Sequence, residues 1–364
     1  MSMFGGIYEG RSALVTGHTG FKGSWLRLWL ERLGADVSGY ALAPNTQPNH
    51  HDLLDLKSPS TLADIRDLER LKEHVARHSP EVVFHLAAQP SVLYSYGHAL
   101  ETFSTNVIGT ANILEACLRA PRVRAVVIIT TDKCYENKEW LWGYRENDPL
   151  GGHDPYSASK ACAEIVAASY SKSFGARADR GALGPLLIAT ARGGNVVGGG
   201  DWTTDRIIPD VMRAAAKGEP VRVRNPHNTR PWQHVLELLS GYLLLGQRLL
   251  EGRAEIAEPW NFGPNPESNL TVSALLETMQ EVWPAVRPEI APRAGDPHEA
   301  KLLMLDSTKA RRILGWEPVW GIRQTLEKTT DWYRAQSETG KIVTAQQIED
   351  YSAQAALKSA VWAR

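Results

Sequence analysis

Cysteine is scarce in this chain. Cys117, Cys134 and Cys162 are the only three in 364 residues, widely spaced and without a CxxC pair. Neither a disulfide framework nor a zinc cage is expected, so no metal is implied and a reducing cytoplasm fits best. An excess of either charge sign is also missing: 40 Lys and Arg face 41 Asp and Glu, for a net charge of -1. That balance provides no field for nucleic acid or an anionic membrane, and an anionic substrate must be held by local groups. No uninterrupted apolar run approaches the ~18 residues of a membrane span, and no basic-then-apolar leader precedes the first strand-like segment, so a soluble, unprocessed protein is expected.

What is present is a rhythm. From residue 12 short β-branched or apolar runs alternate with longer segments of helical spacing. Strands are expected at Ser12–Thr16, Asp36–Leu42, Val82–Leu86, Val126–Thr130 and Leu186–Ala191, and helices at Gly23–Leu33, Leu68–His78, Asn106–Ala120 and Ser159–Phe174. Such alternation predicts βαβ units and an α/β fold with a doubly wound parallel sheet. Beyond about residue 195, Gly198-Gly199-Gly200, Pro209, Pro220, Pro226 and Pro231 break the rhythm. A smaller mixed α/β C-terminal substrate domain is the simplest reading, with residues 1–192 as the dinucleotide-binding domain, 193–364 as the second, and a return of the chain to the first around 232–262. The last thirty residues read as helical, and the 12 Trp as mostly core.

The first strand runs directly into Thr16-Gly17-His18-Thr19-Gly20-Phe21-Lys22-Gly23, a GxxGxxG loop that opens the first helix. Glycines there allow a tight turn and let backbone N–H groups approach a diphosphate at the positive end of the helix. An acidic residue after the second strand, which would hold the adenosine ribose, is absent: Ala43-Pro44-Asn45 stands there, with no Arg or Lys to favour a 2′-phosphate. Asp64-Ile65 offers either an adenine contact or a helix N-cap before Leu68.

Tyr156 and Lys160 form the only Tyr-xxx-Lys in the chain. Four residues apart on a helix they share one face, where the ammonium is expected to lower the phenol's pKa so that it can take a hydroxyl proton. At the end of the preceding strand, Thr130-Thr131-Asp132-Lys133 offers a hydroxyl, a carboxyl and an amine to the same crevice, or else a plain exposed turn.

These motifs, with His85–Gln89 (HLAAQ) and Asn106–Thr110 (NVIGT), resemble the extended short-chain dehydrogenases/reductases over at least residues 12–310. The Thr131-Asp132-Lys133 triplet, Gly194–Trp202, Asp205–Asp210 and Arg230–Val235 resemble, more narrowly, the CDP-glucose 4,6-dehydratases. The resemblance implies a Rossmann-type fold, NAD as cofactor and CDP-glucose as substrate, in deoxysugar (O-antigen) biosynthesis, by a homo-oligomer, dimer or tetramer. It implies that Gly17, Thr19, Gly20, Phe21, Lys22, Gly23, Asp64, Ile65, Leu86, Ala87, Ala88, Gln89 and Asn106 hold the cofactor together with Tyr156 and Lys160. Tyr156, assisted by Lys160 and Thr131, would oxidise C4, Lys133 would remove the C5 proton, and Asp132 would protonate the departing 6-hydroxyl. Relatives acting on dTDP-glucose carry Glu where Lys133 stands, so Lys133 can be the base only if part of it is neutral, and Asp132 needs a raised pKa. Asn195, Arg206, Arg230 and His298 would hold the nucleotide diphosphate, with Pro231-Trp232 as a surface on which the base could stack. His298-Glu299 reads equally as a loop. A 4-epimerase would share the glycine loop and Tyr156/Lys160 but has no use for Asp132-Lys133. A non-catalytic NAD-binding protein would have no reason to keep the whole set.

Overall fold

The structure, a computed structural model, describes residues 3–175, 184–204, 206–223, 226–290 and 302–364. Its centre is a seven-stranded sheet built from β1 (Ser12–Thr16), β2 (Asp36–Ala41), β3 (Ser60–Leu62), β4 (Val82–His85), β5 (Ala125–Ile129), β6 (Leu187–Gly193) and β7 (Pro259–Phe262). The strands lie in the order β7-β6-β5-β4-β1-β2-β3, and every neighbouring pair is parallel. The chain therefore reverses direction across the sheet between β1 and β4. Loops leaving those two strands diverge there and open a crevice at their carboxyl ends.

Strand side chains alternate between two cores because successive residues point to opposite faces. Val15, Phe84, Val127 and Ala189 face one, Leu14, Val83, Val126 and Ile188 the other. On the second face lie α2 (Leu68–His78), α3 (Gly109–Arg119) and α4 (Pro155–Phe174), through Leu71, Val75, Ile113, Leu114 and Ala167. The first face is covered by α1 (Phe21–Arg32) and α5 (Val235–Leu250), and α6 (Ile322–Thr339) and α7 (Thr344–Leu357) join the same core farther from the sheet. Of the 12 Trp, ten are buried in this core, Trp232 among them. Among the described residues no helix is long and apolar enough to cross a membrane.

Helix α4 begins four residues ahead of the expected Ser159. Asp154 accepts a hydrogen bond from the Ser157 backbone N–H at 2.9 Å and Pro155 occupies the first turn, a start that needs no further help. Tyr156 and Lys160 thereby stand in its first two turns. Asp67, not Asp64, caps α2, accepting from the Arg70 backbone. The Gly198–Gly200 run lets backbone pass beneath aromatic rings: the Gly199 carbonyl accepts from Trp25 Nε1 at 2.9 Å, and a Cβ on Gly199 would meet Trp332 at 1.9 Å. Gly199→Ala should thus lower stability by about 1–3 kcal/mol or more, read as a fall in the urea midpoint; an unchanged midpoint would mean that Trp332 is free to move aside.

Candidate active site

The glycine loop is shaped by close approach. Gly17 has φ +73°, and a Cβ on it would stand 2.7 Å from the Ala87 backbone nitrogen, while one on Gly23 would strike the Gly17 carbonyl oxygen at 2.1 Å. The N-cap of α1 is Gly20, with no side chain bonded to the first turn. Its amide donors are left for an anion, as a dinucleotide diphosphate requires. The Thr19 hydroxyl donates to the Leu42 carbonyl at 2.8 Å, and Phe21 packs against the core. The turn after β4 is fixed by Thr16, whose hydroxyl accepts from the Ala87 N–H at 3.2 Å and bonds His85 Nδ1 at 2.8 Å; the Leu86 N–H reaches the Thr16 carbonyl at 3.1 Å. Ala88 follows in the same turn.

Several expected cofactor residues have other engagements. The Gln89 amide donates to the Ser91 carbonyl and the Thr102 hydroxyl, both at 2.9 Å. Asn106 accepts from the Gln89 N–H at 2.8 Å and donates to the Gln89 carbonyl at 3.1 Å and to Ser159 at 2.8 Å. Its amide ties the β4 turn to α4 just behind Tyr156. Asp64 pairs with Arg66 at 2.5 Å, and the Ile65 side chain is buried beneath α3, where it meets Gly109.

Beyond β5, Thr131 accepts from the Lys133 N–H at 3.3 Å and caps a single turn, Asp132–Cys134. That turn folds the triplet back over the crevice. The Thr131 hydroxyl donates to Asp132 Oδ1 at 2.9 Å and lowers the pKa of the Tyr156 phenol, so phenol, hydroxyl and carboxyl are neighbours, as a relay needs. Burial raises the Asp132 pKa, opposed by Lys133, Thr131 and the charge of Arg230. Room for the carboxyl comes from Gly194, where a Cβ would stand 2.7 Å from Asp132 Oδ2. Lys133 itself is half-buried. Lys160 donates to the Ile129 carbonyl at 3.2 Å, and burial lowers its pKa to about 8 although Glu164 opposes the shift.

The phenol does not behave as its neighbour suggested. Burial pushes Tyr156 up to about 12, against the lowering by Thr131 and Arg206, so in the ligand-free protein desolvation outweighs the cations. Lys22 belongs to the same group: burial, Lys160 and Arg206 lower its pKa to about 7, and Asp132 works the other way.

Of the expected diphosphate ligands, Arg206 donates to Asp201 at 3.1 Å and Arg230 to the Thr229 carbonyl at 2.9 Å. Both send charge into the crevice, Arg206 to Tyr156 and Arg230 to Asp132. The Asn195 carbonyl accepts from the Gln233 N–H at 3.1 Å. Trp232 is buried and donates to the Leu270 carbonyl, so its ring is no platform for a base. Asp205, His298 and Glu299 lie outside the described residues. A cavity of about 740 Å³ opens beside Asp132, lined by Trp140, Trp142, Arg145, Asn265 and Arg311; neither Tyr156 nor the glycine loop borders it.

Beneath the site lies an ion pair that no motif announced. Arg192 on β6 donates to Glu164 Oε2 at 2.8 Å, with both side chains nearly inaccessible. Glu164 also accepts from Thr130 and from Thr190, the latter at 2.7 Å. The second arm of Arg192 reaches the Tyr135 hydroxyl at 2.7 Å, which donates in turn to Asn261 on β7 at 2.7 Å. Burial works against the Arg192 charge, yet Glu164 beside it raises its pKa. The available signal was spacing: Glu164 stands one turn beyond Lys160, on the same face as Tyr156.

Comparison with known proteins gives this geometry a setting. Residues 14–329 match the family described as GDP-mannose 4,6 dehydratase. The CDP-glucose 4,6-dehydratase of Salmonella typhimurium is 47% identical over 349 residues, covering 95% of this chain and 97% of that protein. Among solved structures, a UDP-glucose 4-epimerase from Thermotoga maritima with UDP-glucose superposes with a TM-score of 0.75 at 24% identity, over 89% of this chain and 99% of the other. A dTDP-glucose 4,6-dehydratase from Bacillus anthracis in complex with NAD gives 0.74 at 22%, over 91% and 98%. At those identities the structures speak for the fold alone.

Replacing Glu164 by Gln leaves Arg192 charged, buried and unneutralised. The variant should lose about 3–5 kcal/mol of stability, measured by urea denaturation. Wild-type stability would show that Arg192 finds another counter-charge.

Proposed function

The chain belongs to the GDP-mannose 4,6-dehydratase family of nucleotide-sugar dehydratases, and from that premise we propose that it is an NAD-dependent hydro-lyase. It converts CDP-D-glucose to CDP-4-keto-6-deoxy-D-glucose and water, a step of deoxysugar biosynthesis. The observation that carries this reading is the buried Asp132, its carboxyl raised by desolvation and hydrogen-bonded to Thr131, the hydroxyl that also lowers the pKa of the Tyr156 phenol. An epimerase needs the phenol but no protonated carboxyl beside it.

The glycine cradle fits a dinucleotide, since Gly17 and Gly23 leave no room for a Cβ and the first turn of α1 keeps its donors. Phe21, Lys22 and Gly23 would hold the diphosphate by the backbone N–H groups of the first turn, which Gly17 and Gly20 shape while their own N–H groups donate to the Tyr40 and Gly17 carbonyls, with Tyr156 and Lys160 beside the reacting end. NAD held there would supply hydride acceptance at C4, hydride return at C6 and, in its oxidised form, a positive charge beside a phenol near 12. Tyr156 takes the 4-hydroxyl proton, with Thr131 as its neighbour. The resulting 4-ketone acidifies the C5 proton, which Lys133 removes. As the C6–O bond breaks, Asp132 gives its proton to the 6-hydroxyl, which leaves as water; with the hydride back at C6, Lys133 returns its proton to C5 and the proton taken by Tyr156 restores Asp132. Arg206 and Arg230, both directed electrostatically into the crevice, suit the sugar nucleotide's phosphates, with Asn195 beside them. His298 is carried into this set by the resemblance.

On this reading residues 1–192, rejoined by 232–262, serve the dinucleotide, and 193–364 the nucleotide sugar. Three free thiols and the cofactor fit a cytoplasmic enzyme. Exposed Leu100, Ile108 and Ile165, on the helices beside the crevice, support a homo-oligomer, a dimer or tetramer, as the working state.

Turnover of CDP-, dTDP- and GDP-glucose tests the substrate. CDP-glucose should give a 4-keto-6-deoxy product that absorbs in strong base, without net build-up of reduced cofactor; absence of product from all three would overturn the dehydratase reading, and CDP-galactose in its place would establish an epimerase. Lys133→Met should lower turnover about 10²–10⁴-fold while the reduced-nicotinamide absorbance still rises once, whereas full turnover would move the base role to another residue.

A further inference from the structure

Lys22 occupies the first turn of α1, where backbone N–H groups are the natural diphosphate donors, yet its side chain does not stay with them. Its ammonium stands 6.0 Å from the centre of the Tyr242 ring on α5. Among the described residues no carboxylate lies within ion-pair distance of it. The charges that act on it are those of Lys160, Arg206 and Asp132, the groups that surround the reacting centre. Tyr242 belongs to that centre too: its hydroxyl is fully buried without a hydrogen-bond partner among the described residues, and the charge of Tyr156 reaches it.

A dinucleotide with its diphosphate on α1 must extend its nicotinamide toward Tyr156, because hydride leaves the same carbon whose hydroxyl proton the phenol takes. Lys22 stands in the first turn of α1, at one end of that path, and interacts electrostatically with Lys160 and Arg206 at the other. The nicotinamide ring carries a full positive charge when oxidised and none after it has received two electrons with the hydride. A cation next to it repels one form and not the other, and Lys22, with its pKa lowered to about 7, supplies that charge in its protonated form.

We propose that Lys22 is a cofactor-tuning residue whose ammonium, held between Tyr242 and the catalytic groups, lies beside the nicotinamide ring and favours the reduced over the oxidised cofactor. The effect makes the first oxidation easier and the return of hydride harder, which suits an enzyme that must hold the reduced cofactor while water is eliminated. The proposal rests on the reading that NAD binds in this crevice.

Dissociation constants of NAD⁺, NADH and ADP-ribose for the wild type, Lys22→Met and Lys22→Arg test it. ADP-ribose has the diphosphate and no nicotinamide. Lys22→Met should shift the NAD⁺/NADH affinity ratio roughly tenfold toward NAD⁺, leave ADP-ribose binding unchanged, and so report an intact fold; Lys22→Arg should restore the wild-type ratio. If Lys22→Met weakens all three ligands alike, Lys22 holds the diphosphate and the proposal falls, as it does if the ratio stays at the wild-type value. Failure of the wild type to bind any of the three would instead overturn the cofactor reading itself.

Discussion

The ion pair between Glu164 and Arg192 holds the catalytic elements in one frame. Glu164 rides on α4 below Tyr156 and Lys160, Arg192 on β6, and their shared partners Thr130, Thr190, Tyr135 and Asn261 extend the network from the end of β5 to β7. Two desolvated charges are expensive to bury unless each finds full hydrogen bonding. Here the carboxylate takes two hydroxyls and a guanidinium and so joins α4, the end of β5 and β6, while Arg192, its Nε left without a partner, carries the link through Tyr135 to β7. The position of the phenol relative to the Thr131–Asp132 turn follows from that constraint.

The same dryness that makes the pair strong sets the chemistry above it. Burial raises Asp132 and Tyr156 and lowers Lys160 and Lys22, so these four groups are pushed toward their neutral forms. Proton donors keep their protons, and amines become able to accept them. Charge reaches Tyr156 from Arg206 and Asp132 from Arg230, at the edge of the crevice. An enzyme that oxidises, eliminates and reduces in one pocket needs such groups, each close to changing state.

Much of this architecture is legible in the sequence because it is local. The β-branched runs of β1 and β4, the period of α2 and the GxxGxxG loop each act over a few residues, and the first strand and second helix fall where their patterns end. The relay was legible only as a set of residue types. What stayed hidden is non-local: Arg192 meets Glu164 across 28 positions, and nothing in the Gly-Phe-Lys-Gly run tells that Lys22 turns from the diphosphate toward Tyr242. The expected lowering of Tyr156 failed for the same reason, since helical spacing gives the distance to a cation but not the amount of water removed. Trp232 likewise reads as an exposed platform beside Arg230 until the core closes over it.

Gly194 deserves a last consequence. Its missing side chain is the space into which the Asp132 carboxyl fits, so the acid that defines the elimination depends on an atom that is not there. One nucleotide change turns any glycine codon into alanine and fills that space while the catalytic carboxyl stays encoded. A lineage could lose the dehydration and still retain every residue by which it would be identified.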